Sequence, residues 1–217
     1  MIKELSNFWW RIDNLYTVKD PSGERVPFRL RPVQRDYLRR MHTKNVILKS
    51  RQHGFTTLGL LYMLDMVLFN HGVRCGMVCH TLPIAKELFR EKVLDVYDHL
   101  PDWLRELRPL LGRDKQTLRV SHDEGEESLL YVDTSLRSGT YQVMHISEMG
   151  RIDEMGADKS DELVTGTLQS GLYSIIVIES TARQGSGYFY DVCESAERLS
   201  KTEVDLSPLD YKFFFVP

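Results

Sequence analysis

The chain has 217 residues, of which 42% are hydrophobic, so it can bury one substantial core. Its net charge of −3 excludes a protein that binds nucleic acid through bulk positive charge. The charge is uneven, however: residues 1–55 hold twelve Lys and Arg against five Asp and Glu, and residues 121–165 hold three against eleven. No apolar run approaches the roughly 20 residues that cross a bilayer, and the three cysteines show no disulfide framework. We therefore expect a soluble, intracellular protein without membrane contact.

The first 30 residues predict an N-terminal flap, because a run of aromatic side chains is followed by a turn at residues 20–23. A helix is predicted over residues 31–41, with Pro32 in its first turn. Strands and helices then alternate along the chain. Strands are predicted at 46–50, 74–79, 141–146 and 172–178, helices at 56–69, 82–99, 160–169 and 187–199, and a final apolar run at 211–216.

Residues 118–134 interrupt this alternation with two short strands around an acidic turn, which predicts a β-hairpin insertion. The rest of the pattern predicts an α/β fold with a mostly parallel sheet and helices on both faces. Ligands bind such sheets at the C-terminal ends of the strands. Three chemically suggestive segments follow predicted strands: the loop after residue 50, the pair Ser147-Glu148, and the pair Ser180-Thr181.

The loop after the first predicted strand of the sheet is similar to a phosphate-binding P-loop, G-x-x-x-x-G-K-[ST]. Gly54 and Thr56 fall on the final glycine and on the hydroxyl that binds Mg²⁺, but Phe55 occupies the lysine position. Lys49 stands at the first-glycine position, so the loop keeps a cation at its entrance, and Arg51 offers a second. A strand, a glycine turn and a buried helix aim a helix N-terminus at an anion. The predicted phosphate-binding residues are Lys49, Ser50, Arg51, Gln52, His53, Gly54, Phe55, Thr56 and Thr57.

A second strand end carries the acidic group that a P-loop hydrolase needs to polarise the attacking water. Glu148 stands where the general base belongs, after the apolar residues that precede it. Ser147 replaces the aspartate that would hold the metal's water shell. The alternative is a Ser-Glu pair that only caps a helix after a core strand.

Two further residues are candidates for nucleotide contacts. Arg137 lies in a glycine-containing turn just before the strand at 141–146, where it lines the site, projects into solvent, or stabilises the transition state from a neighbouring subunit. Gln34 precedes the P-loop strand, and its amide can both donate to and accept from an adenine edge.

Together these segments resemble the N-terminal ATPase domain of the large terminase subunit, the DNA-packaging motor of tailed phages and prophages. The resemblance covers roughly residues 25–200 and rests on four motifs in family order. They are an adenine-reading segment at 30–34 (LRPVQ), a P-loop at 50–57 (SRQHGFTT), an Arg-Gly element at 136–139 (LRSG) and a coupling motif at 178–182 (IESTA). The resemblance implies an ASCE-type P-loop NTPase that uses ATP and Mg²⁺.

The resemblance also assigns roles to individual residues. Lambda-like large terminases carry the lysine at the first loop position, which favours Lys49 over Arg51 as the phosphate-binding lysine. Thr56, Ser147 and Glu148 would form the Mg²⁺ site, with Glu148 acting through water and as general base. Ser180 and Thr181 would sense the γ-phosphate, and Arg137 would act in a neighbouring subunit. Gln34 would bind adenine.

The family's second domain, an RNase H-like nuclease, would lie beyond Pro217, so we expect an ATPase domain at 31–217 without nuclease activity, preceded by the flap at 1–30. The resemblance implies double-stranded viral DNA, the portal protein and the small terminase subunit as partners. It implies a ring of identical subunits during packaging, a monomer in isolation, and the cytoplasm of the infected bacterium as the location. Two alternatives stay open: a helicase-like or remodelling ATPase, and a nucleotide-binding assembly module that does not hydrolyse, which Phe55 and Ser147 favour.

Overall fold

The computed structural model describes residues 2–136, 139–166, 174–183, 185–202 and 204–217. An eight-stranded sheet forms its centre, and helices cover both faces. The helices are α1 Ile2–Leu5, α2 Phe8–Asn14, α3 Pro32–Arg40, α4 Phe55–Phe69, α5 Leu82–Leu88, α6 Asp95–Asp98, α7 Asp102–Leu107, α8 Met149–Glu154, α9 Ala157–Gly166 and α10 Tyr188–Ser200. The strands are β1 Thr17–Lys19, β2 Arg25–Pro27, β3 Lys44–Lys49, β4 Arg74–Val78, β5 Leu110–Arg113, β6 Thr117–Ser121, β7 Glu127–Asp133, β8 Val143–Ser147, β9 Ile175–Thr181 and β10 Tyr211–Val216.

The strand order in the large sheet is β10-β3-β9-β8-β4-β7-β6-β5. The six strands from β10 to β7 are parallel, whereas β6 and β5 are antiparallel to their neighbours. The predicted mostly parallel sheet is confirmed. The predicted hairpin is β6–β7, and its second strand joins the parallel sheet beside β4. β1 and β2 form a separate antiparallel pair.

Alternation along the strands divides the core into two layers, because successive strand residues point to opposite faces. Ile47 and Val177 pack with the residues of α4, whereas Val46 and Ile178 pack with those of α8 and α10. Helix α4 is apolar nearly all round, as expected of a helix buried between the sheet and other helices. Every side chain at a strand end therefore belongs to either the α4 face or the α10 face.

Several elements differ from the predicted ones. The long helix predicted at 82–99 is divided by a π-helical turn, Phe89–Leu94, between α5 and α6. Helices α7 and α8 and strand β5 were not predicted. Strand β9 runs through Thr181, so Ser180 and Thr181 belong to the strand and not to the loop after it. Residues 167–173, at the end of the predicted helix and the start of the predicted strand, lie outside the described residues, as does Arg137.

The N-terminal segment packs onto α4. Ile12 and Tyr16 are buried in the same core layer as α4, and the buried guanidinium of Arg11 forms an ion pair with Asp65 of α4 at 2.7 Å. In the described part of the chain, no helix has the length and apolarity needed to cross a bilayer.

Candidate functional site

The loop between β3 and α4 presents the N-terminus of a fifteen-residue helix. Two of its residues, Gln52 (φ 67°) and Gly54 (φ 69°), adopt left-handed backbone conformations that turn the chain sharply into α4. The N–H of Ser50 donates to the carbonyl of Val216 at 2.8 Å, which fixes the start of the loop to the end of β10. The first-turn N–H groups of a helix have no partner within the helix, and the helix dipole adds positive potential there. The loop is therefore suited to an anion.

Gln34 shapes this loop from outside. Its Nε2 donates to the carbonyls of His53 (2.9 Å) and Gly54 (3.2 Å), and its Oε1 accepts from the backbone N–H of Arg31 at 3.1 Å. The guanidinium of Arg31 donates to the carbonyl of Gln52 at 2.6 Å. The side chain of Gln34 is buried and its amide is engaged by the loop, so adenine recognition by Gln34 stays a prediction.

The side chain of Phe55 belongs to the core. It is buried against the ring of Tyr37 in an edge-to-face contact of 5.5 Å between centroids, and Tyr37 contacts Phe214 in the same way at 4.9 Å. Only the backbone N–H of Phe55 is thus placed to meet a phosphate. The exposed residues Ser50, Arg51 and Gln52 form the outer part of the loop.

Glu179 lies at the centre of the polar group next to the loop. It is on β9, and its side chain is fully buried. Oε1 accepts hydrogen bonds from Thr56 Oγ1 and Ser147 Oγ, both at 2.9 Å, and Oε2 lies 2.9 Å from Nζ of Lys49. Nε2 of His145 lies 3.5 Å from Oε1. Four side chains from β3, α4 and β8 therefore surround one buried carboxylate.

The charges of Lys49 and Glu179 stabilise each other. Burial alone would raise the pKa of Glu179, but His145 and Lys49 beside it lower that pKa to about 2. Burial alone would lower the pKa of Lys49, but the carboxylates of Glu179 and Glu148 raise it. Both groups are therefore charged at neutral pH, as a buried pair that lies beside a helix N-terminus.

Glu148 is held in a left-handed backbone conformation, with φ 58° and ψ 48°. Such a conformation is unfavourable for a residue with a Cβ by roughly 1–2 kcal/mol. Glu148 immediately precedes α8, but its side chain makes no capping hydrogen bond to the helix. Instead its Oε1 lies 3.3 Å from Nζ of Lys49, and the side chain is 23% exposed. The geometry therefore does not support the capping alternative, and it directs the carboxylate toward the loop.

Solved structures similar to this chain include three large terminases. The large terminase ATPase domain of Thermus phage P74-26 is 16% identical with a TM-score of 0.63, covering 87% of this chain and 81% of that one. The HK97 bacteriophage large terminase is 15% identical with a TM-score of 0.66, covering 98% of this chain and 43% of that one. A large terminase from a thermophilic bacteriophage, solved in complex with ADP, is 12% identical with a TM-score of 0.52, covering 99% and 44%. No family model matches the chain.

The chain has the fold of a large terminase ATPase domain. The predicted α/β architecture, a mostly parallel sheet with helices on both faces, is thereby confirmed, and the chain spans less than half the length of the HK97 large terminase and of the ADP-bound one. In this fold, β9 lies between β3, which leads into the loop before α4, and β8, which leads to Glu148.

The two residues predicted to sense the γ-phosphate point to opposite faces of β9. Thr181 pairs in register with Lys49, at the end of the strand beside the loop. Ser180 faces the other layer, where a Cβ on Gly150 of α8 would lie only 2.9 Å from its Oγ. The terminase fold therefore brings Thr181 to the same edge as Lys49, and it separates the Ser180 hydroxyl from Glu179 and Thr56.

Two residues of the site were given no role of their own from the sequence: Glu179, which lies within the predicted coupling motif at 178–182, and His145. Each is a polar residue on the α4 face of an otherwise apolar strand. A carboxylate inside such a strand needs a partner, because an unpaired buried charge is very unfavourable. A glutamate within an apolar strand was therefore a signal that the sequence already contained. In the sheet, Glu179 of β9 pairs in register with Ser147 of β8.

Gly59 of α4 leaves the space that His145 occupies. A Cβ at Gly59 would lie 2.1 Å from Nδ1 of His145, whose side chain is buried. Alanine normally stabilises a helix relative to glycine, but we expect Gly59→Ala to lower the free energy of unfolding by about 1–3 kcal/mol, as overpacking does. Urea denaturation measures this change.

Gly112→Ala is the matched control, because a Cβ at Gly112 meets no atom within 4 Å. It should leave the free energy of unfolding close to the parental value. If Gly59→Ala were as stable as the parent or more stable, His145 would not be locked against α4.

Proposed function

We propose that this chain is an ATPase of the large terminase type, which binds ATP with Mg²⁺ at the loop before α4 and hydrolyses it to ADP and phosphate. One observation carries the proposal. A lysine, a threonine hydroxyl and two carboxylates, from Lys49, Thr56, Glu148 and Glu179, converge beside the N-terminus of α4 at the C-terminal ends of adjacent parallel strands. The terminase fold supports it, and the similar large terminase of the thermophilic bacteriophage was solved with ADP.

Phosphate binding would rest on the loop's backbone and on Lys49. The helix N-terminus supplies N–H donors, and Lys49 supplies a full positive charge at the loop entrance. Lys49 Nζ contacts Glu148 at 3.3 Å and Glu179 at 2.9 Å, so phosphate oxygens would compete with these carboxylates for the same ammonium. Glu179 stays charged and buried, whereas Glu148 is partly exposed, so the contact with Glu148 is the one that yields more easily.

The residues present fit Mg²⁺. The oxygens of Thr56, Ser147 and Glu148 are hard ligands of the kind that Mg²⁺ prefers. Among the described residues no cluster of three or more His, Cys, Asp and Glu would hold a metal alone, so phosphate oxygens would supply the remaining ligands. When bound, Mg²⁺ neutralises negative charge on the phosphate oxygens.

Hydrolysis would depend on Glu148 as the base that orients water and accepts its proton. The side chain lies at the edge of the loop and is 23% exposed, so water reaches its carboxylate. Its left-handed backbone at the start of α8 fixes the direction in which it projects. Lys49 holds the carboxylate at 3.3 Å, and release of that contact upon phosphate binding would free Glu148 to act on water.

A cleft of about 310 Å³ next to the loop would accept the nucleoside. Its walls come from the β1–β2 pair and from Gln34, Gly54 and Thr57. This volume is at the lower end of the range for small-molecule sites, roughly 300–1,000 Å³. Arg29 and Arg31 add positive charge to its lining. Gln34 would contact the base from one wall of this cleft while it holds the loop.

We further propose that ATP hydrolysis moves double-stranded viral DNA into a procapsid in the cytoplasm of the infected host. The partners would be the portal protein and the small terminase subunit. The protein would be a monomer in isolation and would form a ring of identical subunits during packaging. Arg137 would then act on the nucleotide of a neighbouring subunit. Thr181, at the end of β9, would sense whether the γ-phosphate is present. The large terminase neighbours support this role by fold.

The test of ATP hydrolysis is Glu148→Gln. The variant should bind ATP with parental affinity, because glutamine keeps the shape of the side chain, and phosphate release should fall by roughly 10²–10⁴-fold through loss of the base. ATP binding is followed by calorimetry, and phosphate release by a coupled assay in the presence of double-stranded DNA.

Glu197→Gln is the matched control, because Glu197 lies on the surface of α10, where its carboxylate pairs with Lys201 one turn later at 2.9 Å. It should hydrolyse ATP at the parental rate. If Glu148→Gln released phosphate at the parental rate, Glu148 would not be the general base. If the parental protein bound ATP but released no phosphate, only the alternative of a non-hydrolysing assembly module would remain. DNA unwinding in the absence of the portal protein would favour the helicase-like alternative.

A further inference from the structure

The site lacks one group that the P-loop ATPase pattern places on β8. That pattern has an aspartate immediately before the catalytic glutamate, and this chain has Ser147 there. The next strand in the sheet supplies a carboxylate at the same level, because Glu179 of β9 pairs in register with Ser147. Adjacent strands lie about 4.8 Å apart, so a glutamate reaches across that spacing where an aspartate would not.

We propose that Glu179 takes the place of the missing aspartate, as the carboxylate that holds Thr56 and the water shell of the magnesium ion. This inference rests on the proposed function, since it concerns the ATP·Mg²⁺ complex of the same site. It assigns Glu179 as a positioning residue, and Ser147 as the neutral group that gives it room.

The hydrogen bonds of Glu179 support this role. Thr56 is the P-loop hydroxyl that binds Mg²⁺ in the general motif, and it donates to Oε1 of Glu179 at 2.9 Å. Ser147 donates to the same oxygen at 2.9 Å, and the two hydroxyls lie 3.4 Å apart. Outer carboxylates of this kind orient metal ligands and are needed for full metal affinity.

Ser147 and Glu179 are complementary in charge. An aspartate at position 147 would face the buried carboxylate of Glu179, and two carboxylates that share one site resist joint ionisation. The serine hydroxyl donates a hydrogen bond instead. The site therefore has space for one buried carboxylate, and the sequence places it on β9 and not on β8.

The shift of the carboxylate accompanies the shift of the lysine. The P-loop pattern has its lysine at position 55 on α4, and here Phe55 is buried in the core while Lys49 ends β3. Strands β3 and β9 are neighbours, and Nζ of Lys49 lies 2.9 Å from Oε2 of Glu179. Lys49 on β3 thus replaces the lysine that is missing at Phe55, and Glu179 on β9 replaces the aspartate that is missing at Ser147. The two replacing residues lie on adjacent strands and contact each other.

The test uses Mn²⁺ as a paramagnetic substitute for Mg²⁺ and measures its affinity for the protein·ADP complex by electron paramagnetic resonance. Glu179→Gln keeps an oxygen acceptor for Thr56 and Ser147 but removes the charge. We expect Mn²⁺ affinity to fall by roughly 10–100-fold, while ADP affinity measured in EDTA stays parental. Glu197→Gln on the surface of α10 is the matched control, with parental values for both.

The double variant Ser147→Asp/Glu179→Gln returns the carboxylate to β8 and should recover Mn²⁺ affinity, which a merely structural role of Glu179 would not produce. Parental Mn²⁺ affinity in Glu179→Gln overturns the inference and leaves the proposed ATPase intact. A parental protein that binds neither ADP nor ATP, with or without metal, overturns both. If Glu179→Gln does not fold, Glu179→Asp is the deciding variant, because it keeps the negative charge but shortens the side chain by one methylene. Weaker Mn²⁺ binding by Glu179→Asp supports the inference. Unchanged Mn²⁺ binding overturns it.

Discussion

A Lys49→Met protein should lose ATP hydrolysis and should also unfold more easily. Hydrolysis should fall by on the order of 10²–10³-fold or more, the effect of removing one electrostatic contact to the transition state. Stability should fall because Glu179 is fully buried and loses the ammonium group that lies 2.9 Å from its Oε2. Breaking a buried pair from one side costs about 3–5 kcal/mol. Phosphate release and urea denaturation measure the two effects.

A second substitution separates the two effects. In Lys49→Met/Glu179→Gln no buried charge is left unpaired between β3 and β9, so most of the lost stability should return, whereas hydrolysis should not. Arg51→Ala is the comparison within the loop, since Arg51 is exposed and the fold does not depend on it. If Lys49→Met hydrolysed ATP at the parental rate while Arg51→Ala was inactive, Arg51 would be the phosphate-binding cation.

The fold was largely predictable because its signal is periodic. Apolar strands alternate with helices along most of the chain, and this pattern leads to a parallel sheet whichever strand pairs with which. The loop before α4 and the strand end at Glu148 were predictable for the same reason, since a polar residue directly after an apolar strand falls at the ligand-binding edge. Short elements such as α8 carry too few residues to show a period.

The central position of Glu179 depended on information that periodicity does not carry. Its contacts require β9 to lie between β3 and β8, and strand order is a property of the whole sheet. The facing of Ser180 and Thr181 depended on whether β9 extends to include them and on its register, because side chains alternate only within the strand and a shift of one residue reverses which of them faces α4. The burial of Phe55 likewise follows from its contact with Tyr37, which in turn contacts Phe214, and both are distant from Phe55 in sequence.

The strongest expected loss of stability away from the site is that of Asp65→Ala. Asp65 is fully buried on α4, and it accepts from Arg11 Nε at 2.9 Å, from Arg11 Nη2 at 2.7 Å and from the Tyr16 hydroxyl at 2.7 Å. Burial raises the pKa of Asp65 although Arg11 and Tyr16 lower it, which shows how strongly this position is desolvated. Alanine would leave the Arg11 guanidinium and the Tyr16 hydroxyl buried without their acceptor.

We expect Asp65→Ala to lower the free energy of unfolding by about 3–5 kcal/mol, a large part of the roughly 5–15 kcal/mol that stabilises a folded domain. Asp36→Ala is the control, because its ion pair with Arg40 is exposed on α3 and such pairs contribute about 0–1 kcal/mol. Arg11→Met/Asp65→Leu replaces the buried pair by apolar side chains and should recover most of the loss. If Asp65→Ala unfolded at the parental urea concentration, this ion pair would not hold α2 against α4.

The Arg11–Asp65 pair also affects the candidate site, because residues 1–30 supply the β1–β2 wall of the cleft beside the loop. Asp65→Ala should therefore weaken ATP binding as well, because it loosens the attachment of that wall.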